Sequence, residues 1–245
     1  MDKKLISGAA LCIATVCLLP LLGVFAAAAL GSFDTLLQLT ETVLWRYTWT
    51  TLVLVACVAA GSIMIGASTA WLVVATEFPG RKALEIALVL QLAFPAYVLA
   101  YAYTHVLDHP GIVQSTLRDI MGWGPRDYWF PEIRSLGGAA AMLTFFLYPY
   151  VYLLARAAFH EQSVCALEVG RALGCGPWGV FRRVGLPLAR PAVVAGTAIV
   201  CMETMADFGA VDYFAVPTLT RGIFSIWLDM HNAGGAAQIA LVMLG

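Results

Sequence analysis

Five apolar runs close to the length of a bilayer span, and the start of a sixth, recur along the 245-residue chain. They are Leu5–Leu30, Thr51–Thr76, Ala83–Val106, Leu136–Ala158 and Ala192–Ala210, followed by the shorter Gly235–Gly245. Crossing the hydrocarbon core takes about 20 apolar residues in a helix. No water is available there to bond N–H and C=O groups, so each segment must satisfy its own backbone. The expected fold is therefore all-α, a polytopic transmembrane helix bundle. Charge agrees: Asp, Glu, Lys and Arg make up 12% of the residues, against about a quarter in soluble domains. A net charge of −1 offers no basic surface for nucleic acid.

Met1-Asp2-Lys3-Lys4 precedes an apolar run that reaches Leu30. A signal-peptide core is about 7–15 residues, so this run reads as a retained first span. The six cysteines form no CxxC and no Cys/His cluster at metal spacing. Cys12, Cys17, Cys57 and Cys201 lie in apolar runs and read as small hydrophobes, while Cys165 and Cys175 fall in a polar stretch. Gly31–Thr50 carries Trp45, Tyr47 and Trp49, and Leu107–Ser135 carries Trp123, Tyr128, Trp129 and Phe130. Trp45, Tyr47 and Trp49 are placed like an interfacial belt, and Leu107–Ser135 reads as a longer polar segment between spans.

Lys and Arg set the orientation. With a cytoplasmic N-terminus, the inside segments hold nine (Lys3, Lys4, Arg81, Lys82, Arg156, Arg171, Arg182, Arg183, Arg190) and the outside segments five (Arg46, Arg118, Arg126, Arg134, Arg221). The sixth run stops at Gly245, and a half-span exposed to lipid leaves carbonyls unpaired. The natural chain is expected to continue, this being an N-terminal portion; a short re-entrant end is the alternative.

The cytoplasmic stretch Glu161–Pro191 stands apart from these runs. A short helix is predicted over Glu168–Leu173, broken by Gly174, Gly176 and Pro177, since Gly suits the left-handed position after a helix and Pro the first turn of the next. A second short helix, Pro177–Val184, is expected to end before Leu186-Pro187. The whole makes an elbow, suited to docking a soluble cytoplasmic partner.

The elbow resembles the EAA motif of ABC-importer permeases: Glu-Ala-Ala, three residues, Gly, nine residues, Ile, one residue, Leu-Pro. Here Glu168-Val169-Gly170, Gly174, Val184 and Leu186-Pro187 keep that spacing, with Val169, Gly170 and Val184 departing in identity. Gly170 lowers helix propensity by about 1 kcal/mol relative to Ala. Phe78–Arg81, Phe94–Tyr101, Leu147–Arg156 and Met202–Gly209 look like ferric-iron-type members of this group. The resemblance covers most of the chain from about Thr48 onward.

The resemblance implies a type I, MetI-like permease in a bacterial inner membrane, surrounded by lipid, with the elbow as the coupling helix. Its implied partners are a cytoplasmic ABC ATPase dimer, a periplasmic or extracellular solute-binding protein, and a second permease half, fused or separate. This chain is expected to bind no cofactor, ATP being used by the partner subunit. On the elbow, Leu173 and Trp178 are candidate apolar anchors, Glu168 and Arg171 polar contacts, Gly174 the tight turn, and Leu186 and Pro187 the end of the motif. A local pair of Glu168 with Arg171 is the alternative to direct contact.

Glu203 and Asp207 lie four apart in the fifth run, on one helix face. Carboxylates in a span are costly and usually face a bundle interior or a wet cavity. They either line the solute path, or bond to backbone or neighbouring spans; Asp207 also suits the outer water boundary. Pro95 and Pro149 sit within the third and fourth runs near Tyr97, Tyr101, Tyr148, Tyr150 and Tyr152. They suit either a hinge with Tyr97 and Tyr150 lining the path, or a static kink with tyrosines bonded between helices. His105, His109, His160 and His231 show no paired ligand spacing, so no metal site is expected.

The chain lacks G-x-x-x-x-G-K-[ST], G-x-S-x-G and H-E-x-x-H. ATP binding through a P-loop and the corresponding hydrolase chemistries are thereby excluded. The leading reading is the membrane-spanning subunit of an ATP-driven importer, for ferric iron. The alternatives are a permease for another small solute and an ion-coupled secondary transporter or channel, in which Glu203 and Asp207 would be the coupling groups.

Overall fold

The computed structural model describes residues 3–31, 43–124, 127–162, 168, 172 and 174–244. Every regular element among them is helical: α1 (Lys3–Leu30), α2 (Trp45–Ala75), α3 (Arg81–Leu90), α4 (Ala96–Leu107), α5 (Ile112–Met121), α6 (Leu136–Glu161), α7 (Pro177–Val180), α8 (Leu186–Ala206), α9 (Gly209–Tyr213), α10 (Leu219–Phe224) and α11 (Ala233–Leu244). The chain forms two compact units, one of residues 1–51 and 217–245, the other of residues 52–216.

In the larger unit, α6 is the central helix. Its buried residues Ala139, Met142, Leu143, Leu147, Tyr148, Val151, Tyr152, Ala155 and Phe159 recur at steps of three and four, the spacing that puts side chains on one helical stripe. Leu54, Val58, Ala67, Ala70 and Val73 of α2, and Ala189, Val193 and Val200 of α8, complete that core. Several threonines inside the helices bond to their own backbone. Thr104, Thr197 and Thr204 donate to the carbonyls of Ala100, Val193 and Val200 at 2.7–2.8 Å. A hydroxyl satisfied four residues back can be placed in hydrocarbon without an orphaned donor.

In the smaller unit, α1 and α11 approach closely. A Cβ built on Gly234 would lie 2.6 Å from the Gly31 Cα, and the Gln238 side-chain amide donates to the Ala28 carbonyl at 3.2 Å. Leu11, Ile13, Leu19, Leu22 and Phe25 of α1 are exposed, as suits side chains facing lipid.

Three sequence expectations need correction here. The third run is not one continuous helix: Phe94 and Pro95 are both extended (ψ 142° at each), and the helical arms on either side are bent by 104°. Proline disfavours the helical conformation in the residue before it and supplies no N–H, so two successive residues leave the helix. Pro149 produces no such break, because α6 is packed on several sides and runs straight through it. The second correction concerns where the second helix begins: Trp45, Tyr47 and Trp49, read in the segment before the run at Thr51, belong to the first turns of α2. Trp45 and Trp49 stack one turn apart with centroids 6.5 Å apart. The third concerns the elbow's second helix. It does not stop before Leu186-Pro187 but passes through a π-helical turn, Phe181–Gly185, straight into α8.

Candidate functional site

Two regions carry the residues singled out above. The first is the elbow. Glu168 is helical and exposed, whereas Arg171 and Leu173, with Val169 and Gly170, lie outside the described residues. Gly174 has φ +82° and open space around its Cβ position, so the left-handed turn is what calls for glycine. Gly176 precedes Pro177 at the start of α7. Trp178 on that turn is 63% exposed, with its ring centroid 5.1 Å from that of Phe181. Leu186 donates its N–H to the Phe181 carbonyl five residues back, and Pro187, which has no N–H, follows in the first turn of α8. The wide π turn thus takes up the position where the ordinary ladder is interrupted.

The elbow rests on residues the sequence reading did not single out. Trp71 of α2 and Phe159 of α6 enclose Phe181, and Gln162 donates to the Gly185 carbonyl at 2.9 Å. On α3 and α6, Glu85 accepts from Arg156 at 2.7 Å and from Arg81 at 3.2 Å. A sequence signal existed for these ionic residues: Glu85 and Arg156 are lone charges inside the third and fourth apolar runs. No comparable signal marked Trp71 or Phe159, which read as ordinary span residues.

The second region is a cleft of about 310 Å³ lined by Ala96, Leu143, Phe146, Leu147, Glu203, Ala206, Asp207 and Phe208. Glu203 is exposed on α8. Asp207 is part-buried at the end of α8, and its Oδ1 accepts from the N–H groups of Ala210 at 2.9 Å and Val211 at 3.3 Å. Its carboxylate is therefore bonded to backbone and caps the start of α9 while also facing the cleft. Asp207→Ala is expected to destabilise the protein by about 0.5–2 kcal/mol, with Asp207→Asn keeping most of the stability. Thermal unfolding in detergent checks this, and equal losses in the two variants would remove the capping role.

The cleft does not include the predicted path tyrosines. Tyr97 is exposed on α4 and packs against Gly209, and Tyr150 is half-buried against the α6–α8 core. The Pro95 break sets the phase of α4, and so the place of Tyr97, independently of α3, whereas Tyr150 stands on the unbroken α6. Tyr148 donates to the Leu88 carbonyl at 3.0 Å, an interhelical bond of the kind the static reading predicts. Among the described residues no group of three His, Cys, Asp or Glu is placed to hold a metal ion.

Residues 62–245 match the family described as the binding-protein-dependent transport system inner membrane component. The chain belongs to that family. Its relatives include the molybdenum transport system permease protein ModB of Escherichia coli (strain K12), 29% identical over 189 residues, covering 75% of this chain and 80% of that one. The Fe(3+)-transport system permease protein FbpB 2 of Haemophilus influenzae is 25% identical over 194 residues, 79% of this chain but 34% of that protein. Among solved structures, a bacterial alginate ABC transporter in complex with a periplasmic protein superposes with a TM-score of 0.78 at 16% identity, covering 99% of this chain and 91% of that one. The MetNI methionine ABC transporter gives 0.60 at 20% identity, covering 84% of this chain and 89% of that one. This permease thus has the MetI-like importer fold and is a multi-pass inner-membrane protein.

Proposed function

We propose that this ABC importer permease translocates ferric iron handed over by an external solute-binding protein, with its N-terminus in the cytoplasm. A separate ATPase dimer docks on the elbow around Glu168, Gly174 and Trp178, and a second permease half completes the path. The observation that carries the cation reading is the cleft: two carboxylates, Glu203 and Asp207, face it, and no Lys or Arg lines it among the described residues. In a low-dielectric bundle, a lining of this sign favours a cation and opposes an anion. A conduit has no need of a tight iron site, since it must release what it takes in; the high-affinity site belongs to the binding protein. The relative FbpB 2 and the Met202–Gly209 pattern support the same choice.

A second reading is an oxyanion solute, favoured by the 29% identity to ModB over 80% of that protein. Uptake of radioactive ferric iron and of radioactive molybdate into proteoliposomes holding the assembled complex separates the two. Iron uptake that requires ATP is expected, with Glu203→Gln lowering it by at least roughly tenfold, and Trp178→Asp abolishing it through loss of the ATPase. Molybdate uptake without iron uptake would overturn the iron assignment. Transport that persists with the ATPase subunit deleted would overturn the coupled reading altogether.

A further inference from the structure

The elbow meets the membrane helices at one aromatic cluster, and its geometry is unusual at Gly185. Trp71, Phe159 and Phe181 form a triangle with centroid separations of 5.3, 5.4 and 6.4 Å. Trp178, exposed on α7, extends it outward at 5.1 Å from Phe181. A Cβ built on Gly185 would fall 2.6 Å from Trp71 Cζ3 and 3.2 Å from Cε3 and Cη2, so the indole occupies the space a side chain would need. The same glycine ends the π turn, and its carbonyl is held by Gln162.

Along the chain this is a weak place. The π turn has a poorer hydrogen-bond ladder than α-helix, and Pro187 removes a further donor. Across the chain it is a strong place. Rings from α2, α6 and the turn are in contact, and close-packed side chains transmit displacement rather than absorb it. An object pushed at Trp178 therefore bends easily where α8 begins and bears sideways on α2 and α6.

We propose that Gly185 and Trp71 form the joint that conveys movement of the elbow to three membrane helices at once, Gly185 acting as a positioning residue. This rests on the coupled-permease reading above. It places the transmission in a ring seated on a glycine at a π turn, rather than in the helix of the elbow alone.

The test uses the assembled complex with its ATPase in proteoliposomes. The native cysteines are replaced and a single reporter is introduced by Ala206→Cys, at the cleft. Maleimide labelling of the reporter is measured with and without trapped ATP, and ATP hydrolysis is measured in parallel; neither readout depends on the solute. In Gly185→Ala, hydrolysis is expected to stay within about twofold of the parent while the nucleotide-dependent change in labelling falls about tenfold. Adding Trp71→Phe, which removes the part of the ring that the new methyl meets, is expected to restore the response to within about threefold. Should Gly185→Ala fail to assemble, Gln162→Leu, which removes only the bond to the Gly185 carbonyl, is expected to lower the response about threefold. A merely structural role would lower hydrolysis and response together, and that result, or an unchanged response in the variant measured, overturns the joint. A parent complex whose reporter ignores nucleotide would instead overturn the coupled reading on which the joint depends.

Discussion

Gly66→Val is expected to leave the larger unit unable to pack, because the side chain would run into the backbone of α6. A Cβ at Gly66 would lie 2.8 Å from Val151 Cβ and 2.9 Å from both the Tyr148 oxygen and the Tyr152 nitrogen. Two of those three neighbours are backbone atoms of α6 and cannot rotate away. On the opposite flank, a Cβ at Gly196 would lie 2.9 Å from Val151 Cα. The α6 backbone at Val151 is thus held between a glycine of α2 and a glycine of α8. Lipid gives apolar helices little hydrophobic reason to associate, so close backbone approach supplies much of the attraction. Gly66→Ala is expected to cost about 1–3 kcal/mol through overpacking, and Val more, since its branches meet the same wall. Thermal unfolding in detergent and gel-filtration homogeneity measure it. Gly23→Ala on α1, where nothing lies within 4 Å of the Cβ position, is the control and is expected to be neutral or slightly stabilising. A Gly66→Val protein with the parent's melting temperature would refute the clasp.

The second large effect is at Glu85. Its carboxylate joins two guanidinium groups, Arg156 from α6 at 2.7 Å and Arg81 on its own helix at 3.2 Å, with the three side chains between two-thirds and four-fifths buried. Glu85→Leu leaves two cations facing an apolar replacement. Removing one partner of a fully buried pair costs about 3–5 kcal/mol, and the partial exposure here reduces that to about 1–3 kcal/mol. The double variant Glu85→Leu/Arg156→Leu is expected to regain much of the loss, because no interhelical charge is then left unpaired. If the single and double variants melt at the same temperature, the ion pair is not what ties α3 to α6.

Much of the fold was legible because hydrocarbon imposes a rule that composition alone can state. Long apolar runs must be helices, and the long helices α1, α2, α6 and α8 overlap the runs Leu5–Leu30, Thr51–Thr76, Leu136–Ala158 and Ala192–Ala210. Local chemistry was legible too, where one residue type suffices: Gly174 adopts the left-handed φ, and Pro177 opens a helix. Failures came where the same residue type has two outcomes. Pro95 breaks its run and Pro149 does not, although both were read from the same rule. Pro187 was read as a stop, yet the chain continues through a π turn, because the packing of Phe181 and Gly185 against Trp71 holds the backbone on course.

The candidate cleft divides in the same way. Spacing put Glu203 and Asp207 on one face, and both do face one cleft. What Asp207 bonds to was left open by the sequence, since α9 begins only two residues further on and a cap requires that turn to exist. Tyr97 and Tyr150 were assigned to the path from their nearness to Pro95 and Pro149; the break at Pro95 gives α4, which carries Tyr97, a phase that no periodicity across it predicts, while Tyr150 stays on the unbroken α6.

By itself, then, the sequence determined the solvent this protein lives in, the helical character of its long segments, and an elbow with motif spacing between two of them. Those follow from the energetics of unpaired backbone in hydrocarbon and from the φ preferences of glycine and proline, which act within a few residues. Only the tertiary structure decided where a proline bends the chain, which glycines admit a neighbouring helix, and that Trp71 sits on Gly185 at the root of the elbow. Each of those depends on atoms brought together from distant parts of the chain, whose meeting no local rule encodes.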